Sequence, residues 1–84
     1  MKDQLNDKAR LYHILDAINA IEGYISGISY EQFTSSSEKT YATVKQLEIV
    51  GEAASRLSSS TRIIKTEIEW SRIIALRNIL VHDY

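Results

Sequence analysis

The segment Arg77-Asn78-Ile79-Leu80-Val81-His82-Asp83-Tyr84 sets an arginine, a histidine five residues later and a tyrosine two beyond that within an apolar run. Ile79, Leu80 and Val81 separate the polar groups, so they are not a generic solvated face. Guanidinium is a permanent cation whose planar donor fork suits phosphate. Imidazole gives and takes protons near neutrality. RNA carries its own nucleophile, the 2′-OH, so cleaving its phosphodiester needs only two services. One is proton transfer, typically worth about 10²–10⁴ in rate. The other is electrostatic stabilisation of the charge gathering on phosphorus. Arg77 can supply the second but not the first, because guanidinium keeps its proton. His82 can serve as base or acid, but one imidazole cannot conveniently be both at once. RNA cut in this way would end in a 2′,3′-cyclic phosphate and a 5′-OH, without magnesium. The other reading open to the pair is structural, the arginine paired with a carboxylate and the histidine hydrogen-bonded at a helix end.

Helices must position these groups. The chain has no proline and three glycines, and its apolar residues recur at spacings of three and four, which predicts an all-α fold. A first helix is expected over 5–26, with Leu11, Leu15, Ile18, Ile21 and Ile25 as its apolar stripe and Gly27 as its stop. Ser29 and Gln32 have capping-box spacing, which predicts a single turn over 30–33. Ser36 or Ser37 caps the next helix, expected over 38–57 and burying Tyr41, Val44, Leu47, Val50, Ala54 and Leu57. Gly51 inside that helix costs about 1 kcal/mol relative to alanine. The return expected for it is close approach of another helix over Gly51, Ala54 and Ser55. A short amphipathic piece follows over 61–65. A final helix runs from Trp70 toward Tyr84. On it Ser71, Ala75, Asn78 and His82 fall at 4, 3 and 4 spacing and line one seam. Arg77 lies about 100° round from Asn78 and roughly 140° from His82. If that seam packs against its own copy, two His82 and two Arg77 face one cleft, which supplies both an acid and a base.

Bulk properties narrow the function classes. A chain of 84 residues is one domain, 1–84, with a core small enough that a second subunit is expected to help. The absence of cysteine excludes a disulfide scaffold or a thiolate metal site and fits a cytoplasmic protein. No apolar run approaches the ~18 residues of a membrane span. Net charge is −1; residues 1–42 hold four Lys/Arg against six Asp/Glu, residues 43–84 six against five. A nucleic-acid footprint is normally basic, so RNA contact is expected to be local and confined to the second half. Two histidines far apart give no zinc spacing, and no metal or cofactor is expected. His13, beside Tyr12 and Asp16, reads as a surface histidine. Glu52 and Arg56 stand at the favourable i, i+4 spacing for a surface ion pair; Glu52 reaching Arg77 and positioning it is the other destination open to it. Asn78 either orients His82 or caps a neighbouring helix. Trp70 reads as a core anchor. Asp83 either assists His82 or is solvated.

The stretch Leu47-Glu48-Ile49-Val50-Gly51-Glu52-Ala53-Ala54-Ser55-Arg56-Leu57, then Trp70, then the Arg-Asn-x3-His-x-Tyr ending, resembles the HepT-like family of the HEPN superfamily. The resemblance spans most of the chain. It implies a small antiparallel helical bundle that dimerises and acts as a metal-independent ribonuclease toxin. Arg77 and His82 would be catalytic and Asn78 supporting. It also implies a partner, an MntA-type nucleotidyltransferase antitoxin that silences the toxin by AMPylation of Tyr84. A second implied role is a non-catalytic binding and dimerisation subunit of a minimal nucleotidyltransferase. Two departures stand out. Family members usually continue beyond the tyrosine, so the bundle is expected to be truncated at its C-terminal helix, with a terminal carboxylate beside Asp83 and His82. Relatives often carry proline where this chain has Glu69.

Overall fold

Glycine and serine punctuate the chain into helices. The computed structural model describes residues 2–64 and 67–83, with the side chains of 6–64, 67–79 and 81. The described residues form five helices: α1 (Lys2–Ile25), α2 (Tyr30–Ser35), α3 (Ser37–Ser55), α4 (Ser59–Ile64) and α5 (Trp70–Asp83). No strand occurs among them, and the fold is an all-α helical bundle. No helix among the described residues is long and apolar enough to cross a membrane.

The boundaries have local causes. Gly27 follows α1 at φ 74°, a left-handed conformation that glycine adopts without a Cβ penalty. Ser29 and Gln32 close a reciprocal capping box: the Gln32 amide donates to Ser29 Oγ at 3.1 Å and the Ser29 amide to Gln32 Oε1 at 2.8 Å. That is why α2 exists at all, and it extends two residues beyond the expected Phe33, to Ser35. Ser36 ends α2 and caps α3, accepting from the Lys39 amide at 3.2 Å. At the other end of α3, Arg62 Nη2 donates to the carbonyls of Ala54 and Ser55 at 3.1 and 2.9 Å. A cation there satisfies orphan acceptors and complements the helix dipole. Trp70 is half-buried, and its indole N–H donates to the Arg62 carbonyl at 3.3 Å, which anchors the start of α5.

α3 is the centre. It packs against α1 on one side and α5 on the other, while α1 and α5 make no comparable contact with each other. The apolar residues buried among those described are small, Ala17, Ala53 and Ala54, plus Leu57. Small side chains let the three long helices come close.

Two expected stripes shift. On α1 the face against α3 carries Arg10, Ile14, Ala17, Ile21 and Tyr24, whereas Leu11, Leu15, Ile18 and Ile25 are 41–50% exposed. α1 has apolar residues on two adjacent faces, and periodicity alone does not say which meets α3. On α3, Tyr41 is 67% exposed; it stands near the start of the helix, before the buried stretch at Gly51, Ala53 and Ala54.

The start of α1 is pinned to the α3–α4 corner by Asp7, which is 4% exposed. Its carboxylate accepts from the Ser58 amide at 3.1 Å and from the hydroxyls of Ser58 and Thr61. Those bonds, the Ser58 hydroxyl first and Thr61 next, hold its pKa below the usual carboxylate range against the opposing cost of burial.

Candidate active site

Gly51 determines how near α5 can come. A Cβ built there would lie 2.1 Å from Arg77 Cβ and 3.3 Å from Arg77 Cα, so α5 crosses α3 at a point where only glycine fits. The close approach expected over Gly51 is therefore present, and the residue lying on the glycine is Arg77. This places the arginine on the face of α5 that meets α3, with Trp70, Ile73 and Ile74. Ser71, Ala75 and Asn78, the expected seam, are exposed.

Arg77 is held from two directions. Its Nη2 lies 2.6 Å from Glu52 Oε2 on α3, and its Nη1 donates to Asn78 Oδ1 at 2.9 Å. Glu52 also takes Arg56 Nε on Oε1 at 2.7 Å. Both destinations open to Glu52 in the sequence are thus occupied at once, one carboxylate oxygen for each guanidinium. The hydrogen bond from Arg56, then the charges of Arg77 and Arg56, lower the Glu52 pKa, with burial opposing. Glu52 is therefore a fixed anion at neutral pH. Asn78 acquires Arg77 as its partner, a pairing that neither sequence expectation for it included. The guanidinium has five donors and keeps some to spare beyond its contacts with Glu52 and Asn78.

The site opens onto a groove of about 520 Å³. Its floor is the row Lys45, Glu48, Ile49, Glu52, Ala53 and Arg56 along α3. Arg77 and Val81 of α5 form one wall, Arg10 and His13 of α1 the other. The groove exists because α1 and α5 both lean on α3 and not on each other. His13 is exposed, as expected of a surface histidine, but the surface it occupies is this groove. The local positive charge is also not confined to the second half of the chain, because Arg10 comes from the first. The i, i+3 spacing of Arg10 and His13 puts the two on one face of α1, and helix packing sets that face against Glu52 and Arg77.

His82 lies in the last turn of α5, the residue after the groove-lining Val81. Its side chain, those of Leu80 and Asp83, and all of Tyr84 lie outside the described residues. So does Lys65, where the expected amphipathic piece ended. Among the described residues no group of His, Cys, Asp and Glu could hold a metal ion.

Comparison with known proteins gives a consistent result. Residues 14–84 match the family described as Ribonuclease HepT-like. "Putative RNase MJ1380" of Methanocaldococcus jannaschii is 35% identical over 77 residues, covering 92% of this chain and 71% of that protein. "Putative RNase TTE0752" of Caldanaerobacter subterraneus subsp. tengcongensis is 35% identical over 74 residues, 88% of this chain and 66% of that protein. "Probable ribonuclease HepT" of Thermococcus cleftensis is 31% identical over 83 residues, 99% of this chain and 70% of that protein. The chain thus spans about two thirds to seven tenths of the length of these relatives. No solved structure matches it significantly.

Proposed function

The chain belongs to the Ribonuclease HepT-like family, and on that premise we propose that it is an endoribonuclease that cuts RNA without a metal, using Arg77 and His82. The observation that carries this reading is the Arg77 guanidinium, fixed over Gly51 by Glu52 and Asn78 at the mouth of an open groove. A preorganised cation facing solvent-accessible space is what stabilisation of a phosphorane requires.

The chemistry follows from the residue types. His82 accepts the proton of the 2′-OH as its oxygen attacks phosphorus. The P–O5′ bond breaks, and the departing 5′-oxygen takes a proton from a second imidazole. That second imidazole is the partner's His82 in a homodimer. The dimer is supported by the exposed row of Ser71, Ala75 and Asn78, whose small members allow a close approach. Arg77 neutralises charge on the non-bridging oxygens throughout. Tyr84, two residues beyond His82, is the acceptor for AMP in this proposal. A cognate MntA-type nucleotidyltransferase antitoxin would transfer AMP from ATP to the phenolic oxygen, which loses its proton as pyrophosphate departs, and so block the adjoining site with an anion.

One observation favours the alternative, a non-catalytic dimerisation subunit of a minimal nucleotidyltransferase: Glu52 already pairs Arg77 with a negative charge. A labelled single-stranded RNA incubated in excess EDTA with the protein and with His82→Ala separates the two. Cleavage by the first to 2′,3′-cyclic phosphate ends, and none by the second, is expected. Equal cleavage by both, or none by either, contradicts the proposed chemistry. A mass increase of one adenylate on co-expression with the transferase, lost in Tyr84→Phe, checks the pairing.

A further inference from the structure

We propose that Arg10 and His13 of α1, with Lys45 of α3, form a binding site for the sugar-phosphate backbone of single-stranded RNA. It is a site separate from the Arg77–His82 chemistry. The inference rests on the ribonuclease reading and extends it to the first helix, which that chemistry does not use.

Charge is the first argument. The chain as a whole is at −1, yet the groove gathers four permanent cations, Arg10, Lys45, Arg56 and Arg77, and one histidine against the two carboxylates of Glu48 and Glu52. Glu52 is taken by Arg56 and Arg77, at 2.7 and 2.6 Å. The cations further along the groove are paired only loosely. Lys45 Nζ stands 4.0 Å from Glu48, with the lysine side chain 71% exposed. Arg10 Nη1 stands 3.9 Å from Asp7, whose oxygens are already occupied by Ser58 and Thr61. Arg10 and Lys45 thus have donors free for an incoming anion. His13, one turn after Arg10 and exposed on the same wall, adds two ring nitrogens that can bond a phosphate or a 2′-OH.

Geometry is the second argument. From Lys45 to Arg56 the α3 floor spans about 16 Å at 1.5 Å per residue, longer than the reach between neighbouring phosphates of one strand. Lys45 and Arg77 line the same groove, so a strand held by Arg10, His13 and Lys45 would run on toward Arg77. The first half of the chain would thereby position the substrate that the second half cuts.

The test uses a fluorescent oligoribonucleotide with 2′-O-methyl groups throughout, which lacks the nucleophile and reports binding alone. Affinity is measured against salt concentration by anisotropy. The groove variant is Arg10→Gln/His13→Gln/Lys45→Gln. The control is Lys8→Gln/Arg72→Gln, which removes the same number of permanent cations from surfaces outside the groove. The groove variant should bind about tenfold more weakly near 0.1 M salt, and its log–log salt slope should be shallower by about 1.4, two contacts at ~0.7 each. The control should match the parent. Because Arg10 also touches Asp7, the exposed pair His13→Gln/Lys45→Gln is measured too and should show about half the slope change. Groove variants indistinguishable from the control overturn the proposal. Cleavage of unmodified RNA by the same samples keeps the two readings apart: a parent that cleaves while the groove variants bind normally refutes only the α1 site. A parent that neither binds nor cleaves removes the ribonuclease reading and the groove with it.

Discussion

Asp7 and Glu52 are two carboxylates that each tie one helix to another, and they end in opposite situations. Asp7 is enclosed, and its oxygens are consumed by two hydroxyls and a backbone amide around the α3–α4 corner. Glu52 is part exposed and holds two guanidiniums at the edge of a groove. The first arrangement turns its carboxylate inward, where it holds the structure together. The second fixes Arg77 by a fraction of its donors and leaves the rest facing open space. A polar tie becomes a candidate site when one partner keeps unused valence toward solvent.

The contrast is broken most sharply by exchanging what each tie is asked to do. Arg77→Ala should reduce RNA cleavage by about 10²–10³-fold, the usual cost of removing one transition-state charge donor, while the melting temperature changes little. Asp7→Asn should lower the melting temperature and leave cleavage per folded molecule intact. Melting curves and single-turnover rates on both variants check this. A large stability loss in the first, or an activity loss at full folding in the second, would erase the distinction.

Gly51→Ala probes the ground beneath Arg77. The added methyl meets Arg77 Cβ and backbone, so α5 must lift. Overpacking costs about 1–3 kcal/mol and alanine recovers about 1 kcal/mol of helix propensity, leaving a net loss of up to roughly 2 kcal/mol by denaturant titration. Cleavage should fall with it, because the guanidinium moves from Glu52.

The smallest effect is on acid stability. Both carboxylates have folded-state pKa values below their ordinary ones. Each therefore stabilises the fold above its unfolded pKa, and that contribution is lost as pH falls through the lowered folded value. Asp7→Asn should flatten the acid limb of a melting-temperature–pH curve, and Glu52→Gln should flatten it less, since its pairs are more exposed and screened by solvent.

Much of the architecture was legible because its signals are local. Gly27, the Ser29–Gln32 box and Ser36 act within four residues, and each stands where the spacing puts it. Gly51 was legible for a different reason: a glycine inside a helix costs stability and so demands a reason, here Arg77. What escaped depends on which helix meets which. Leu11, Leu15 and Ile18 have faultless periodicity and still face outward, because Ile14, Ala17 and Ile21 form a second acceptable face and α3 took that one. The place of His13 in the groove escaped for the same reason. Its neighbours in the groove from α3 and α5 are some thirty to seventy residues away in sequence. A charge tally by halves of the chain likewise misses Arg10, which the α1–α3 packing carries into the second half's site.

The central claim is that the arginine resting on Gly51 does the electrostatic work and that Glu52 acts only by holding it. Single-turnover RNA cleavage in EDTA by the parent, Arg77→Ala, Glu52→Gln and the double variant measures that directly. Glu52→Gln alone should slow cleavage by up to about 10²-fold, the cost of misplacing a reacting group by about an ångström, and should cause no further loss once Arg77 is gone. Full activity in Arg77→Ala, or the same fractional loss from Glu52→Gln in both backgrounds, would contradict the account.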